Sequence, residues 1–389
     1  MSRSRSAVTP GDPGSYVRRY NGVNYPVTSS VPNAYEAQCT DVESGFGKNN
    51  SFFLRARGCQ GARGNGQRGT NSTGGVYYYT DTPSTRCVMP TFLTFPAAAV
   101  YLNCRAALLG RTGNAAPSFN LPVSVLELKD LPRMLKHAGD LLHGLRSPSG
   151  LNPLREGAAA TLAYQFGWRP LIDDLKKTLS FQAIVEKRRS AINRSVDSDS
   201  GVDRSTTIED RTWEVVDTVI DKLPGTGNSS IKRIRTYTRK TEGYVTWTPK
   251  ERIRSLGDDA LNREAFRSAL GLSAKNIPLA TWKLLPWSWL IDWFANCSEL
   301  LSAHQNMVDY KPTRGGITMY ARDDYHHSGY RWTTQGGLEV SPYEAYTEYK
   351  TRYPITTWAG LTPRMNLPFL DGFKTSVLGS LAILKIAKP

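Results

Sequence analysis

The chain has 389 residues, 40% of them hydrophobic and 21% charged, and a formal net charge of +15. That balance excludes a disordered tail, and the length allows two structural regions or one large one. The positive surplus points to a polyanion, either nucleic acid or an anionic membrane surface, against the plainer reading of a basic but ordinary surface.

In chain order, residues 1–120 are rich in Gly, Ser, Thr, Asn and Tyr, and read as mainly β. The segment 57–69, RGCQGARGNGQRG, reads as a glycine and arginine loop, with short strands at 51–55, 76–80 and 91–95. Frequent Gly and Pro argue against helix anywhere in this region. From Leu121 the spacing turns helical through Leu126, Leu131, Leu135, Leu141 and Leu142, up to a turn at 147–150. A second helical stretch covers 153–193, interrupted at Gly167 and Pro170, with Leu171, Leu175 and Leu179 on one buried face.

From about Ser205 the period becomes two, and 211–220 and 231–248 read as a hairpin joined at 223–228. Asp258 or Asp259 is the expected cap of a helix running to Ala269. Residues 278–304 return to helical spacing, with Leu290, Phe294, Cys297 and Leu301 on one stripe. Strands follow at 317–321, 330–334 and 343–358, and 371–388 forms a closing helix with Val377, Leu381 and Leu384 inward. The fold class expected is α+β and elongated. A helical bundle is assembled from distant segments, and a β-sheet region from the segments between them. The division is β at 1–120, helical at 121–200, a β hairpin at 205–250, helical at 258–304, β at 305–360 and a last helix at 366–389.

No membrane span is expected. The most apolar stretch, 284–301, is broken by Pro286, Asp292, Asn296 and Glu299 and falls short of the roughly 20 apolar residues required. The start, MSRSRS, lacks the apolar core of a signal peptide. The five cysteines, Cys39, Cys59, Cys87, Cys104 and Cys297, are odd in number and form no CxxC pair. They read as mostly inert thiols in a reducing cytoplasm, and nothing local demands that Cys59 and Cys87 pair.

Catalytic signatures are missing from the sequence: no GxSxG, HExxH, P-loop or dinucleotide fingerprint occurs. His137, His143, His304, His326 and His327 have no zinc-ligand spacing. The adjacent acids Asp173-Asp174, Asp258-Asp259 and Asp323-Asp324 suit caps and turns better than convergent acid–base work. No catalytic residue, cofactor or metal site is nominated.

Basic residues carry more. Lys176 and Lys187 are eleven apart, about three helical turns, and so share a face. Lys177 and Arg188 repeat the spacing beside them, and Arg189 and Arg194 extend the positive end. Arg133, Lys136 and Arg146 add charge to the first helix, and Lys374, Lys385 and Lys388 to the last. Such helices can lie along phosphates. The competing reading is a solvated face with cations near the helix C-terminus. On the strand 231–240, Arg233, Arg235, Tyr237 and Arg239 share one side, which suits base stacking, or more simply a solvated sheet face. Tyr343, Tyr349 and Tyr353 alternate along another strand, where ordinary sheet packing is the simpler account of each.

Two segments go beyond pattern: LAYQFGWRPLIDDL at 162–175 and WKLLPWSWLIDWFA at 282–295. Gln165, Phe166, Gly167, Trp168, Pro170, Leu171 and Asp173 in the first, and Trp282, Pro286, Ser288, Asp292 and Trp293 in the second, carry a resemblance to the maturation (attachment) proteins of the single-stranded RNA bacteriophages, the leviviruses. The order, spacing and chain length agree, and so does the terminal helix. These motifs read as scaffold: Trp168, Trp282, Trp287 and Trp293 are expected in a shared core, and Asp292 bonded to an indole or backbone donor.

The resemblance implies a virion protein made in the host bacterial cytoplasm, without enzymatic activity. One copy per particle, not a homo-oligomer, replaces a coat-protein dimer. It further implies that the helical region faces the capsid interior and holds viral genomic RNA, chiefly as hairpins of the 3′ region. The β region faces the receptor and binds a bacterial pilus, which mediates adsorption and genome entry. A cellular RNA-binding protein without enzymatic activity is the alternative, and an enzyme with an unrecognised site the third reading.

Overall fold

The computed structural model describes residues 2–9, 14–20, 23–29, 35–42, 50–60, 63–70, 76–83, 90–113, 180–223, 227–285, 288–331, 339–340, 342–362 and 372–386, together with 157, 161, 164, 169, 172, 173 and 176. The chain is α+β. It divides into two compact units, the first of residues 1–102, 205–244 and 314–357, the second of 103–204, 245–313 and 358–389.

The strands are β1 (Ser2–Thr9), β2 (Gly14–Tyr20), β3 (Val23–Ser29), β4 (Tyr35–Val42), β5 (Phe52–Gln60), β6 (Arg63–Thr70), β7 (Val76–Pro83), β8 (Val202–Leu223), β9 (Gly227–Pro249), β10 (Tyr310–His327), β11 (Tyr330–Arg331), β12 (Glu339–Val340) and β13 (Tyr343–Pro354). A seven-stranded sheet runs β1-β4-β5-β13-β10-β9-β8, and a six-stranded sheet β11-β12-β6-β7-β2-β3. The expected hairpin is β8 and β9, each longer than the alternation predicted. The expected loop at 57–69 is a correction, since its described residues lie on β5 and β6. Antiparallel partners supply the backbone hydrogen bonds that a glycine-rich segment would otherwise give to water.

Antiparallel register fixes which side chains share a face. Asp323 pairs with Thr347 and Tyr325 with Ala345 across β10 and β13. Odd-numbered residues of both strands therefore lie together, and Ile317, Met319, Ala321, Thr347 and Thr351 are buried. The tyrosine row of β13 thus belongs to a packed face. Residues 90–97 and helix α1 (Ala98–Asn103), up to residue 102 within this unit, cover it. Phe95 packs edge-on against Phe53 and Tyr349, with ring centres 5.6 and 5.8 Å away. Tyr101 stacks on Tyr353 at 5.0 Å, and its hydroxyl meets Thr351 Oγ1 at 2.5 Å.

Segment 91–95 is therefore not the expected strand. It lies between Pro90 and Pro96, and its phenylalanines pack on a sheet instead of pairing at its edge. The expectation of no helix before residue 120 also fails, at α1 and at α2 (Arg105–Thr112). The run after Pro96 is alanine-rich, the best helix-forming composition, and averaging over the glycines before it hides that signal.

The second unit contains α2, α3 (Phe181–Val196), α4 (Glu251–Arg254), α5 (Asp258–Leu270), α6 (Ile277–Leu284), α7 (Ser288–Phe294), α8 (Cys297–Asp309) and α9 (Gly372–Ile386). α2 buries Ala106, Ala107, Leu108 and Leu109 and packs on α8. A Cβ on Gly110 would sit 2.5 Å from the Glu299 carbonyl oxygen, so glycine sets how closely these helices approach. Asn306 Nδ2 donates to the Leu109 carbonyl at 2.7 Å, and the buried Trp247 Nε1 donates to Thr112 Oγ1 at 3.1 Å.

Three further expectations are corrected here. Gly257 holds the cap position of α5, and Asp258 and Asp259 fall in the first turn, where carboxylates favour the positive helix end. The helical stretch 278–304 is three helices, and the break at 295–296 destroys the single stripe, leaving Phe294 46% exposed. The strand expected at 343–358 ends at Pro354. In α9 Val377 is fully buried, as its spacing predicted. The first helix, at 121–142, lies outside the described residues, and so do Leu171, Leu175 and Leu179. Cys39, Cys104 and Cys297 are free thiols, whereas Cys59 is disulfide-bonded, contrary to the inert-thiol reading for that residue.

Candidate nucleic-acid interface

α3 and α5 pack antiparallel. At one end Phe181 meets Phe266 edge-on, with ring centres 5.5 Å apart. At the other, Ile192 joins Ile253, Leu261 and Ala265 in one apolar cluster, with Val196 and Leu256 against it. This cluster sets the roll of α3. Residues on the turns of Phe181, Ile184, Arg188 and Ile192 face the partner helix, and those on the turns of Lys187, Ser190 and Arg194 face solvent. Ser180 N donates to the Lys176 carbonyl at 3.2 Å and Ile184 N to the Ser180 carbonyl at 3.1 Å, so Lys176 stays in helical register with α3. Lys176, Lys187 and Arg194 are all exposed.

The sequence of α3 holds one carboxylate, Glu186, against four cations. Among the described residues, Lys176, Lys187, Arg189 and Arg194 form no ion pair. Arg254 on α4 and Arg263 and Arg267 on α5 are also exposed and without an acidic partner among the described residues, and the spacing of basic residues along single helices did not point to these three. Arg263 and Arg267 are one helical turn apart, a spacing that could have revealed them.

Arg188 is the exception on α3. It is turned inward beside Tyr310, and burial pushes its guanidinium below its ordinary value. Burial raises the Tyr310 hydroxyl. Arg188 is thus a packed residue and not the surface cation expected. Spacing groups residues on a face but does not say which face turns in.

Other cations in this unit have partners. Asp309 accepts from both Arg252 and Lys275, and Lys275 Nζ also donates to Glu264 at 3.0 Å. Lys374 on α9 is half-buried with its ammonium 5.8 Å from the centre of the Trp293 ring. Lys385 lies on α9. The side chain of Lys385, with Arg133, Lys136, Arg146, Lys177 and Lys388, falls outside the described residues.

The arginine strand of the first unit is likewise occupied internally. Arg233 makes a two-pronged contact to Asp217, with Nε to Oδ1 at 2.9 Å. That hydrogen bond holds Asp217 below the usual carboxylate range. Arg235 lies 3.7 Å from Asp217 and Arg239 2.6 Å from Asp323. Tyr237 stacks on Trp213 at 5.2 Å. These groups brace the sheet, which favours the plainer of the two readings. Asp323 and Asp324 sit mid-strand on opposite faces, Asp323 toward Arg239 and Asp324 toward Arg322, and not in a turn as expected.

Of the motif residues, Gln165, Phe166, Gly167, Trp168, Pro170, Trp287 and Pro286 are outside the described set. Asp292 accepts from the Trp282 indole at 3.1 Å and from Ser298 N at 2.9 Å, and also bonds the Ser298 hydroxyl. It therefore takes both an indole and a backbone donor, and ties α6, α7 and α8 together. Trp282 and Trp293 are half-buried, while Trp168 and Trp287, the other expected members of a shared core, lie outside the described residues. Among the described residues the fully buried tryptophan is Trp247.

No group of three or more His, Cys, Asp or Glu able to hold a metal occurs among the described residues. No described helix is long and apolar enough to cross a membrane. No protein-family model and no curated protein matches the chain.

Proposed function

We propose that this chain is a non-enzymatic RNA-holding and attachment protein of a single-stranded RNA phage. The carrying observation is the outward face of α3, where Lys176, Lys187 and Arg194 stand without acidic partners. Unpaired cations need no intramolecular ion pair broken before they meet a phosphate, and each contact releases condensed counterions. Arg263 and Arg267 add guanidinium groups on the packed neighbour. The levivirus-like motifs support the same reading through Asp292, whose hydrogen bonds to Trp282 and Ser298 anchor the three-helix segment that carries the second motif.

In this reading the helical unit is part of a bundle gathered from distant segments. It grips hairpins in the 3′ region of the genomic RNA, by shape and phosphate contact more than by base sequence. The strand-rich unit meets a bacterial pilus. One copy stands in place of a coat-protein dimer in each virion.

The test is filter binding of the purified chain to its own 3′ genomic RNA across a salt series. Substituting Lys187→Gln and Arg194→Gln together should flatten the salt slope by about 1.5, at about 0.7–0.9 for each lost phosphate contact. An unchanged slope sinks the assignment of this face. Equal affinity for any structured host RNA would favour the cellular RNA-binding alternative.

A further inference from the structure

The first unit contains a cavity of about 620 Å³ on the seven-stranded sheet, walled in part by Tyr35, Tyr346, Asp324, His326 and Glu344. We propose that it receives a lysine side chain from a protein partner. This site does not depend on the RNA reading of the helical unit.

Strand register builds the cavity. Tyr35 on β4 and Tyr346 on β13 both pair with Gly58 on β5, so two tyrosines flank a position without a side chain. A Cβ at Gly58 would lie 2.6 Å from Tyr346 Cε1, so only glycine lets that ring settle against the strand. The Arg322 guanidinium covers the ring at 4.5 Å from its centre. Arg322 is itself fixed, with Nε 2.9 Å from Asp324 Oδ1 and Nη1 3.4 Å from Glu348 Oε2.

The charges do not cancel. Asp324 and Glu348 hold the one permanent cation, Arg322, and Glu344 adds a third carboxylate beside His326, in a chain whose net charge is +15. Glu344 is 63% exposed, and its near neighbour His326, at 3.3 Å, is positive only when protonated. Burial and then the Glu348 carboxylate push the Tyr346 hydroxyl above its ordinary value, consistent with a negative surrounding potential.

These features select the ligand. An anion would meet surplus carboxylate. A sugar ring would need an open aromatic face, and Arg322 lies over the Tyr346 ring. An arginine fork would need both oxygens of a free carboxylate, but Asp324 and Glu348 are engaged by Arg322, and Glu344 Oε1 lies 3.3 Å from His326. A lysine ammonium is a compact charge with three donors on an apolar stem. It suits a carboxylate at the rim and phenol oxygens in the wall, and the volume leaves room for the residues beside it.

The experiment is saturation-transfer NMR on the full chain with the tripeptide acetyl-Gly-Lys-Gly-amide, against the same peptide carrying norleucine or arginine, and against N-acetylglucosamine. The lysine peptide should give transfer to its δ and ε methylenes at least fivefold above the norleucine peptide. Glu344→Gln should weaken it at least fivefold, and Glu344→Lys should abolish it by supplying an ammonium in place. Glu344 is exposed, so an unchanged thermal melt should confirm that both variants are folded. Equal transfer from the lysine and norleucine peptides, preference for the arginine peptide or the sugar, or indifference to Glu344→Gln in a folded protein overturns the proposal.

Discussion

The acid-paired arginines of the strand-rich unit and the exposed cations of α3 and α5 are the same chemistry put to different use. Arg3 and Arg5 share Asp41, Arg57 holds Glu36, Arg233 and Arg235 share Asp217, Arg239 holds Asp323, and Arg322 holds Asp324. Lys176, Lys187, Arg194, Arg263 and Arg267 have no such partner. A paired guanidinium is a brace, because leaving its acid alone would cost free energy. An unpaired one on a solvated face contributes little to folding and remains available to a polyanion. Net charge alone does not distinguish the two, so it does not locate the interface.

The strongest test of that distinction lies inside the helical unit, where a paired cluster sits beside the unpaired face. Asp309 is 1% exposed at its side chain and Lys275 7%. Asp309→Ala should lower the free energy of unfolding by about 2–3 kcal/mol, since it leaves a buried ammonium with Glu264 alone and removes the acid that Arg252 holds. Urea denaturation at neutral pH measures this, and a loss under about 1 kcal/mol would show that the pairing does not brace the fold.

The pH dependence has a definite sign. Burial acts to raise the Asp309 carboxyl, but Lys275 and Arg252 outweigh it and hold it below the ordinary value. A folded value beneath the unfolded one gives stability that is complete above the unfolded carboxylate range. That stability is lost as pH falls through the folded value. Asp309→Asn should therefore lower stability most above the carboxylate range and flatten the acid-induced loss, so that parent and variant converge as pH falls.

A smaller effect is expected on the sheet. Arg239 is half-buried, and it also donates from Nη1 to the Arg322 carbonyl at 3.1 Å. Arg239→Ala leaves the buried Asp323 without its cation, a loss of about 2 kcal/mol. RNA affinity should not move. A drop in RNA affinity at unchanged stability would erase the division between bracing and binding arginines.

What the sequence disclosed follows physical range. The hairpin of β8 and β9 was legible because a two-residue period persists along both strands, and the buried Val377 because α9 keeps one apolar face. His326 and His327 also point to opposite sides of β10, as a strand requires, one toward Glu344 and one stacked on Tyr343. Partnerships across long separations were not legible. β5 pairs with β13 through Gly58 and Tyr346, and Arg239 finds Asp323, with nothing local to announce either. The inward roll of Arg188 is set by Leu261 and Ala265 on another helix, so spacing within α3 could not reveal it. The helices α1 and α2 were hidden by composition averaged over too long a window.

The smallest expected change is also the most discriminating. Lys187→Gln with Arg194→Gln removes two exposed cations that touch no acid, so stability should stay within about 0.5 kcal/mol of the parent. Arg194 sits in the last turn of α3, where it favours the negative helix end, and its loss should account for most of any change. Thermal and urea unfolding should therefore overlay the parent curves while the salt dependence of RNA binding flattens. If the pair instead destabilises the chain by 2 kcal/mol or more, about the loss expected for Arg239→Ala, these cations brace the fold as the sheet arginines do. The contrast between the two units would then be one of geometry and not of function.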